Sequence, residues 1–272
     1  MGRRALGAWS TLVYLFLYAP IAVVVVLAFN DGRQVLVWDG FSTRWFGEAL
    51  SDPTITGPFR NSLIIAAGNA VLASVLGTAL ALALSKLRPR LRLPLDGLVY
   101  MTLVTPEIVF GISALIFFVQ AGNWLGLGSV LGLKTILVAH VVFNTSVVAL
   151  IVRARFVGMG QTLEEASYDL GAGPLATFRQ VTLPRLAPAV LAGGLLAFTF
   201  SFDDFITSFF VSGAGTTTLP LRIFSSLRFG VSPVINAAAV MILALTLAAV
   251  VLAYLVLRRS EQGRRDAVVP GL

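Results

Sequence analysis

Six long hydrophobic stretches dominate the sequence and alternate with shorter polar segments. Each stretch is about 19–25 residues long, and an α-helix of that length spans a hydrocarbon core of about 30 Å. The predicted membrane-spanning helices cover residues 11–30, 61–85, 97–120, 134–153, 187–211 and 234–257. The pattern predicts an all-α polytopic membrane protein in which residues 1–272 form a single transmembrane domain.

The composition excludes an ordinary water-soluble domain. Hydrophobic residues make up 57% of the chain and charged residues 12%, and the mean hydropathy is +0.88. A soluble domain carries roughly a quarter charged residues, and a disordered chain is poor in apolar ones. The chain has no cysteine and one histidine, so we expect neither a metal site nor a cofactor.

The basic residues predict the orientation in the membrane. With the N-terminus inside, 14 of the 20 Lys and Arg residues fall in inner segments and six in outer ones. The inner residues are Arg3, Arg4, Lys86, Arg88, Arg90, Arg92, Arg153, Arg155, Arg179, Arg185, Arg258, Arg259, Arg264 and Arg265. Both termini are therefore predicted to be cytoplasmic, and the net charge of +7 needs no nucleic-acid partner to explain it.

The first hydrophobic run is too long for a signal peptide and is interpreted as a retained anchor.

The longest inner loop, residues 154–186, has the pattern of a helical hairpin. Thr162 and Glu165 form a T-x-x-E capping box that starts a first helix. Gly171 and Gly173 suit its end, because glycine tolerates a positive φ.

The second helix of the hairpin is predicted to open with Pro174 at its first position. Pro184 and Pro188 are expected to end it before the fifth span. A rigid hairpin at the membrane face can fit a groove on a soluble partner and transmit its motion.

The same loop contains Glu165-Ala166-Ser167, three residues, Gly171, nine residues, and Val181-Thr182-Leu183-Pro184. This spacing resembles the EAA motif of ABC importer permeases, E-A-A, three residues, G, nine residues, I-x-L-P, with conservative departures at Ser167 and Val181. The resemblance implies that the loop docks into an ATP-binding subunit. The implied coupling residues are Glu164, Glu165, Ala166, Gly171, Leu183 and Pro184. Taken alone, Glu165 is explained equally well as a helix cap.

Further motifs extend the resemblance over most of the chain. They are Asn61-Ser62-Leu63, Thr105-Pro106-Glu107-Ile108-Val109, Ser201-Phe202-Asp203-Asp204-Phe205, and Gly230-Val231-Ser232-Pro233 with Ile235-Asn236-Ala237. They resemble the C-type permease of the spermidine/putrescine branch. The resemblance implies a MetI-like type I fold in a bacterial inner membrane, two ATP-binding subunits, a second homologous permease and a periplasmic binding protein. The chain itself lacks a P-loop, so no catalytic residue is predicted and ATP hydrolysis is expected on a separate subunit.

Four ionisable residues fall inside the predicted spans: Glu107, His140, Asp203 and Asp204. An acidic residue at the bilayer centre costs roughly 2.5–3.5 kcal/mol on insertion scales, so each one needs a partner or a wet cavity. The only Lys or Arg residues in these spans are Lys134 and Arg153 at the two ends of the fourth, so none balances the three carboxylates, whereas a passing cation could do so.

Aromatic neighbours of the acids include Phe202 and Phe205, which could make cation–π contacts and line a slot for alkyl stems. The combination predicts a path for a linear polyamine, to which Asn236 could contribute. The alternative is structural: the aspartates pair with a partner's Arg or cap an irregular helix end, Glu107 serves a helix broken at Pro106, and His140 bonds between helices.

Three other functions remain open at this point. An ABC permease could carry iron, thiamine or another small solute. An ion-coupled secondary transporter would need no docking hairpin and often shows inverted repeats, which are not evident here. An intramembrane enzyme would need a catalytic set that the sequence does not display.

Overall fold

The computed structural model of the chain describes residues 2–34, 37–128, 130–160, 162–228, 230 and 232–268. In chain order the helices are α1 (Arg3–Ala28), α2 (Arg44–Ser51), α3 (Pro53–Lys86), α4 (Pro89–Val104), α5 (Glu107–Trp124), α6 (Leu133–Val157), α7 (Thr162–Asp169), α8 (Pro174–Thr177), a π-helix (Phe178–Thr182), α9 (Leu183–Phe202), α10 (Ile206–Val211), α11 (Leu219–Leu227) and α12 (Pro233–Val268). Within these described ranges, the only β-structure is an isolated bridge between Asn30 and Phe41. The predicted all-α class is confirmed. Val231, part of one motif quoted above, lies outside the described residues.

Among the residues that the structure describes, six helical segments are long and apolar enough to cross a membrane, as predicted. They are Leu6–Ala28, Pro53–Lys86, Glu107–Trp124, Leu133–Val157, Pro174–Phe202 and Pro233–Val256. Each overlaps one predicted hydrophobic stretch, because about 20 consecutive apolar residues are a strong signal.

Two of the predicted spans are not continuous helices. The third, predicted over 97–120, is interrupted at Thr105 and Pro106, which separate α4 from α5. Proline lacks an N–H and forces the preceding residue out of the helical region, and Thr105 accordingly has an extended ψ of 126°. The fifth, predicted over 187–211, is interrupted at residues 203–205, between α9 and α10.

The chain divides into two compact units. The first comprises residues 1–59 and 219–245, and its core packs Trp45, Ile55, Leu219 and Ile235 together. Asn30 organises the loop beside this core, because its amide group bonds the backbone of residues 37 and 39. The loop is anchored to α2 by the Trp45 indole, which donates to the Asn30 carbonyl at 2.6 Å.

The second unit comprises residues 60–218 and 246–272, and α3, α6 and α9 form its centre. The three helices meet at Val148 of α6. A Cβ on Gly77 of α3 would lie 2.7 Å from the Val148 Cβ, and one on Gly193 of α9 would lie 3.3 Å from a Val148 methyl. Gly77 therefore allows a helix approach that no larger residue would permit.

An ion pair fastens α4 to α6 in the second unit. Arg153 donates from both terminal nitrogens to the Asp96 carboxylate, and the Nε of Arg92 lies 3.2 Å from Asp96 Oδ2. The hydrogen bond from Arg153 is the largest influence that lowers the pKa of Asp96. The pair fixes the position of α4 on the side of the Thr105–Pro106 break that precedes Glu107.

The loop between α6 and α9 is a helical hairpin, as predicted, but two details were wrong. The α7 helix already includes Thr162, so this residue is not the cap that precedes the helix. Pro184 and Pro188 do not end the second helix, because α8 continues through the π-helix into α9. In a regular α-helix the ring of Pro184 would clash with the carbonyl four residues earlier. The wider π-helix that ends at Thr182 avoids this clash.

We expect Asp96→Asn to lower the free energy of unfolding by about 2 kcal/mol at neutral pH, because it leaves the half-buried Arg153 without a charged partner. Unfolding of the purified protein in detergent micelles measures the change. The lowered pKa means that the carboxylate stabilises the fold above its ordinary value of 3.8 and that this contribution is lost as the pH falls through the folded-state value.

The stabilities of the wild type and Asp96→Asn should therefore converge in strong acid. Asp169→Asn, which changes an exposed carboxylate at the end of α7, is the matched control and should leave stability unchanged. Equal stability of the wild type and Asp96→Asn at pH 7 would contradict this role for the ion pair.

Candidate functional site

The breaks in the third and fifth spans border one cavity of about 650 Å³ within the second unit. Cavities of about 300–1,000 Å³ are typical of small-molecule sites. Its walls include the break residues Thr105, Asp203, Asp204 and Phe205, together with Leu103, Glu107, Ala139, His140, Phe143, Asn144, Phe200, Ile206 and Thr207. The two interruptions, which the sequence predicted only under the structural interpretation of the acids, thus border the candidate site.

Asp204 is a buried helix cap. Its Oδ2 accepts hydrogen bonds from the backbone N–H and the hydroxyl of Ser208, both at 2.8 Å, and its Oδ1 accepts from the N–H of Thr207 at 3.3 Å. These donors belong to the first turn of α10, so Asp204 satisfies backbone groups that a broken helix leaves free. This carboxylate starts α10 and thereby ends the continuity of the fifth span.

His140 of α6 bonds both sides of the same break. Its Nε2 lies 3.0 Å from Asp204 Oδ2, and its Nδ1 lies 2.7 Å from the hydroxyl of Ser201 near the end of α9. The imidazole and all three of its polar neighbours, Ser201, Asp204 and Ser208, are buried. An ionised carboxylate only accepts, so Nε2 carries the proton that faces Asp204. Sequence reasoning expected an interhelical bond from His140, which is confirmed, but it missed Ser208.

Asp203 has the opposite environment. It is the residue that follows the last turn of α9, and its side chain is exposed on the cavity wall. The negative end of a helix dipole disfavours a carboxylate at that position. Among the described residues that line the cavity there is no Lys or Arg, so no protein cation compensates Asp203.

Glu107 is the third acid of the cavity. It is the first residue of α5, where the positive end of the helix dipole stabilises a carboxylate. Its side chain lines the same cavity as those of Asp203 and Asp204. The structure therefore brings the three predicted acids together, with Asp204 held by protein donors and Asp203 left to an external partner.

The other residues predicted for the path are divided. Phe205 lines the cavity. Phe202 is fully buried, stacks on Phe198 with ring centres 5.6 Å apart, and is not among the residues that line the cavity. Asn236 is buried within the first unit and is not among the residues that line this cavity.

The hairpin between α6 and α9 is a second candidate site. Gly171 has a φ of +85°, and the N–H groups of Gly171 and Ala172 bond the carbonyls of Tyr168 and Ser167 at 2.8 and 3.0 Å. This is a Schellman motif, which confirms that Gly171 ends the first helix. Gly173 has a φ of −75° and instead precedes α8, where Pro174 begins the first turn.

Side-chain hydrogen bonds fasten the two arms of the hairpin to each other. The Thr182 hydroxyl donates to Glu164, and the hydroxyls of Ser167 and Thr177 lie 3.0 Å apart. Of the predicted coupling residues, Glu164 therefore faces the inside of the hairpin. The remaining five, Glu165, Ala166, Gly171, Leu183 and Pro184, are exposed.

Apolar side chains stand exposed on this hairpin. Leu170 is 89% exposed and Leu175 is 71% exposed, and Leu163 and Tyr168 are also exposed. No residue of α7 is buried. A rigid polar hairpin with exposed leucines has the character of a contact surface for another protein.

The sequence matches a known family and is similar to named transport permeases. Residues 73–266 match the family described as binding-protein-dependent transport system inner membrane component. The putrescine transport system permease protein PotI of Escherichia coli (strain K12) is 42% identical, over 93% of this chain and 91% of its own length. The spermidine/putrescine transport system permease protein PotC of Haemophilus influenzae is 38% identical, over 94% of this chain and 97% of its own length.

Solved structures share the fold. A chain of a bacterial ABC transporter that imports the acidic polysaccharide alginate superposes with a TM-score of 0.70 at 14% identity, covering 93% of both chains. A chain of the MetNI methionine ABC transporter superposes with a TM-score of 0.59 at 19% identity, covering 78% of this chain and 95% of its own. At these identities the likeness concerns the fold alone.

The two neighbouring aspartates should respond differently to neutralisation. We expect Asp204→Asn to lower the free energy of unfolding by about 2–3 kcal/mol, because an amide nitrogen cannot accept the hydrogen bonds that reach the buried carboxylate. Asp203→Asn, the adjacent exposed residue, is the matched control and should change it by less than about 0.5 kcal/mol. Detergent-micelle unfolding compares them, and equal losses would refute the division of roles.

Proposed function

The chain belongs to the family of binding-protein-dependent transport system inner membrane components, and we propose that it forms the translocation path for a linear polyamine in an ATP-driven importer. The family supplies transport permeases rather than enzymes and places the chain in the inner membrane as a multi-pass protein. The observation that carries the proposal is the uncompensated Asp203 carboxylate in an acidic, aromatic-lined cavity.

The chemistry of the cavity suits an alkyl chain that ends in ammonium groups. Asp203 and Glu107 supply negative charge, while Phe143, Phe200 and Phe205 offer ring faces for cation–π contacts and apolar area for methylene groups. An anionic solute would require basic side chains or free helix N-termini, whereas Asp204 occupies the start of α10. The relatives named for putrescine and spermidine transport point to the same substrate class.

The hairpin formed by α7, α8 and the π-helix is proposed to dock into a cleft of an ATP-binding subunit. Glu165 and the exposed Leu170 and Leu175 would contact that subunit, while the bond between Thr182 and Glu164 keeps the hairpin rigid. A fastened hairpin moves as one body, which is what transmission of force from a separate ATPase requires.

We further propose the assembly in which this occurs. Two ATP-binding subunits would bind this hairpin and that of a second homologous permease, with both termini of each permease cytoplasmic. A periplasmic binding protein would deliver the polyamine from the opposite side. Closure of the ATPase dimer on ATP would favour the state that opens toward the binding protein, since nucleotide binds that state more tightly.

Neutralising the acids should impair the recognition of cations. We expect Asp203→Asn combined with Glu107→Gln to reduce putrescine uptake into proteoliposomes at least tenfold, because both uncapped carboxylates of the cavity lose their charge. The ATPase subunits should still co-purify with this variant. Phe209→Leu, an exposed aromatic outside the cavity wall, is the control. Uptake at the wild-type rate would show that these two acids do not contribute to the translocation path.

The hairpin role is tested at Gly171, whose surroundings are open and whose only constraint is its positive φ. Gly171→Asp should abolish ATP-driven uptake while membrane insertion persists, because an L-residue in that conformation costs about 1–2 kcal/mol and reshapes the turn. Gly173→Ala, also in open space but at a negative φ, is the matched control and should transport normally. Normal uptake by Gly171→Asp would contradict the coupling role.

A further inference from the structure

We infer that His140 is a positioning residue that holds the break in the fifth span open, so that Asp203 presents its carboxylate to the cavity. The inference rests on the proposed function, because it assigns the device that orders the proposed substrate-binding acid. His140 itself need not touch the substrate. It acts through Ser201 on one side of the break and Asp204 on the other.

Four buried side chains, His140, Ser201, Asp204 and Ser208, form a hydrogen-bonded cluster that we call the clamp. Ser201 belongs to the last turn of α9, whereas Asp204 and Ser208 start α10, and His140 reaches all three from α6. Its Nδ1 accepts from the Ser201 hydroxyl when Nε2 donates to the Asp204 carboxylate. One rigid ring thus fixes the distance between the ends of two helices.

Because the clamp is buried, its hydrogen bonds constrain the ends of α9 and α10 strongly. Ser208 is 0% exposed and His140 is 3% exposed, so loss of one of these bonds leaves a buried polar group without its partner. Removing the imidazole would leave the buried Asp204 carboxylate with fewer donors. The segment between Ser201 and Asp204 would then be free to rearrange, and Asp203 lies in that segment.

Asp203 itself has no comparable support. Its side chain is exposed to the cavity, and its conformation follows from residues on either side. The position of the charge is therefore set by the clamp, not by contacts of Asp203 with its surroundings. Correct placement of a charge within a fraction of an ångström decides how well a binding site functions.

The composition of the chain allows a sharp spectroscopic test, because His140 is its only histidine. In the assembled transporter labelled with ¹⁵N-histidine, the signal that disappears in His140→Gln belongs to this ring. We expect the ring to carry its proton on Nε2 with and without putrescine, because Nε2 donates to the Asp204 carboxylate and Nδ1 accepts from Ser201. A ring whose only proton is on Nδ1 counts against the inference.

The functional test uses the ratio of putrescine molecules imported to ATP molecules hydrolysed in proteoliposomes containing the complete transporter. Loss of folded protein lowers both rates in proportion and leaves this ratio unchanged. We expect His140→Leu to lower the ratio at least fivefold. His140→Gln can still donate to Asp204 and should lower it less than twofold. Ser146→Ala, which removes a buried hydroxyl six positions further along α6, is the control.

The outcomes separate the two proposals. If the wild-type transporter imports no polyamine, the proposed function fails regardless of His140. If the wild type imports putrescine and His140→Leu has the same import-to-hydrolysis ratio, the positioning role is overturned while the proposed function stands. A fall in the ratio that His140→Gln reverses supports the clamp.

Discussion

The candidate site depends on the hydrogen bonds that the buried carboxylate of Asp204 accepts. An ionised group inside a membrane protein must be matched by donors, and Asp204 finds them in the first turn of α10 and in His140. The hydrogen bonds to Asp204 interrupt the fifth span, and at this interruption Asp203 faces the cavity. The cavity and its unpaired charge are consequences of the same set of hydrogen bonds.

A second interruption, at Pro106, completes the site from the opposite wall. The missing N–H of proline ends α4, and α5 begins with Glu107 at the cavity. The ion pair between Asp96 and Arg153 secures α4 against α6, the helix that also carries His140. One central helix therefore holds both broken spans in place, which keeps the acidic groups in a fixed arrangement.

Sequence patterns predicted the features that depend on many residues and missed those that depend on one contact. Twenty consecutive apolar residues identify a span, and the spacing from Glu165 to Pro184 identified the hairpin. The break at residues 203–205 depends on His140, 63 positions away from Asp203, which no local pattern reveals. Capping of an irregular helix end was predicted only as an alternative role for the aspartates, and Ser208 was not identified as a donor to that cap. Pro184 was expected to end a helix because proline usually does so. The π-helix that accommodates it could not be predicted from the sequence of this segment.

The uninterrupted run from α8 through the π-helix into α9 has a mechanical consequence. Residues 174–202 form one rod of 29 residues, about 40 Å long at roughly 1.5 Å per residue. One end of this rod is the arm of the hairpin and the other abuts Asp203. A tilt of about 5° at the hairpin end would displace the far tip by roughly 3–4 Å, a lever arm large enough to move a bound ammonium group from one hydrogen-bond partner to the next.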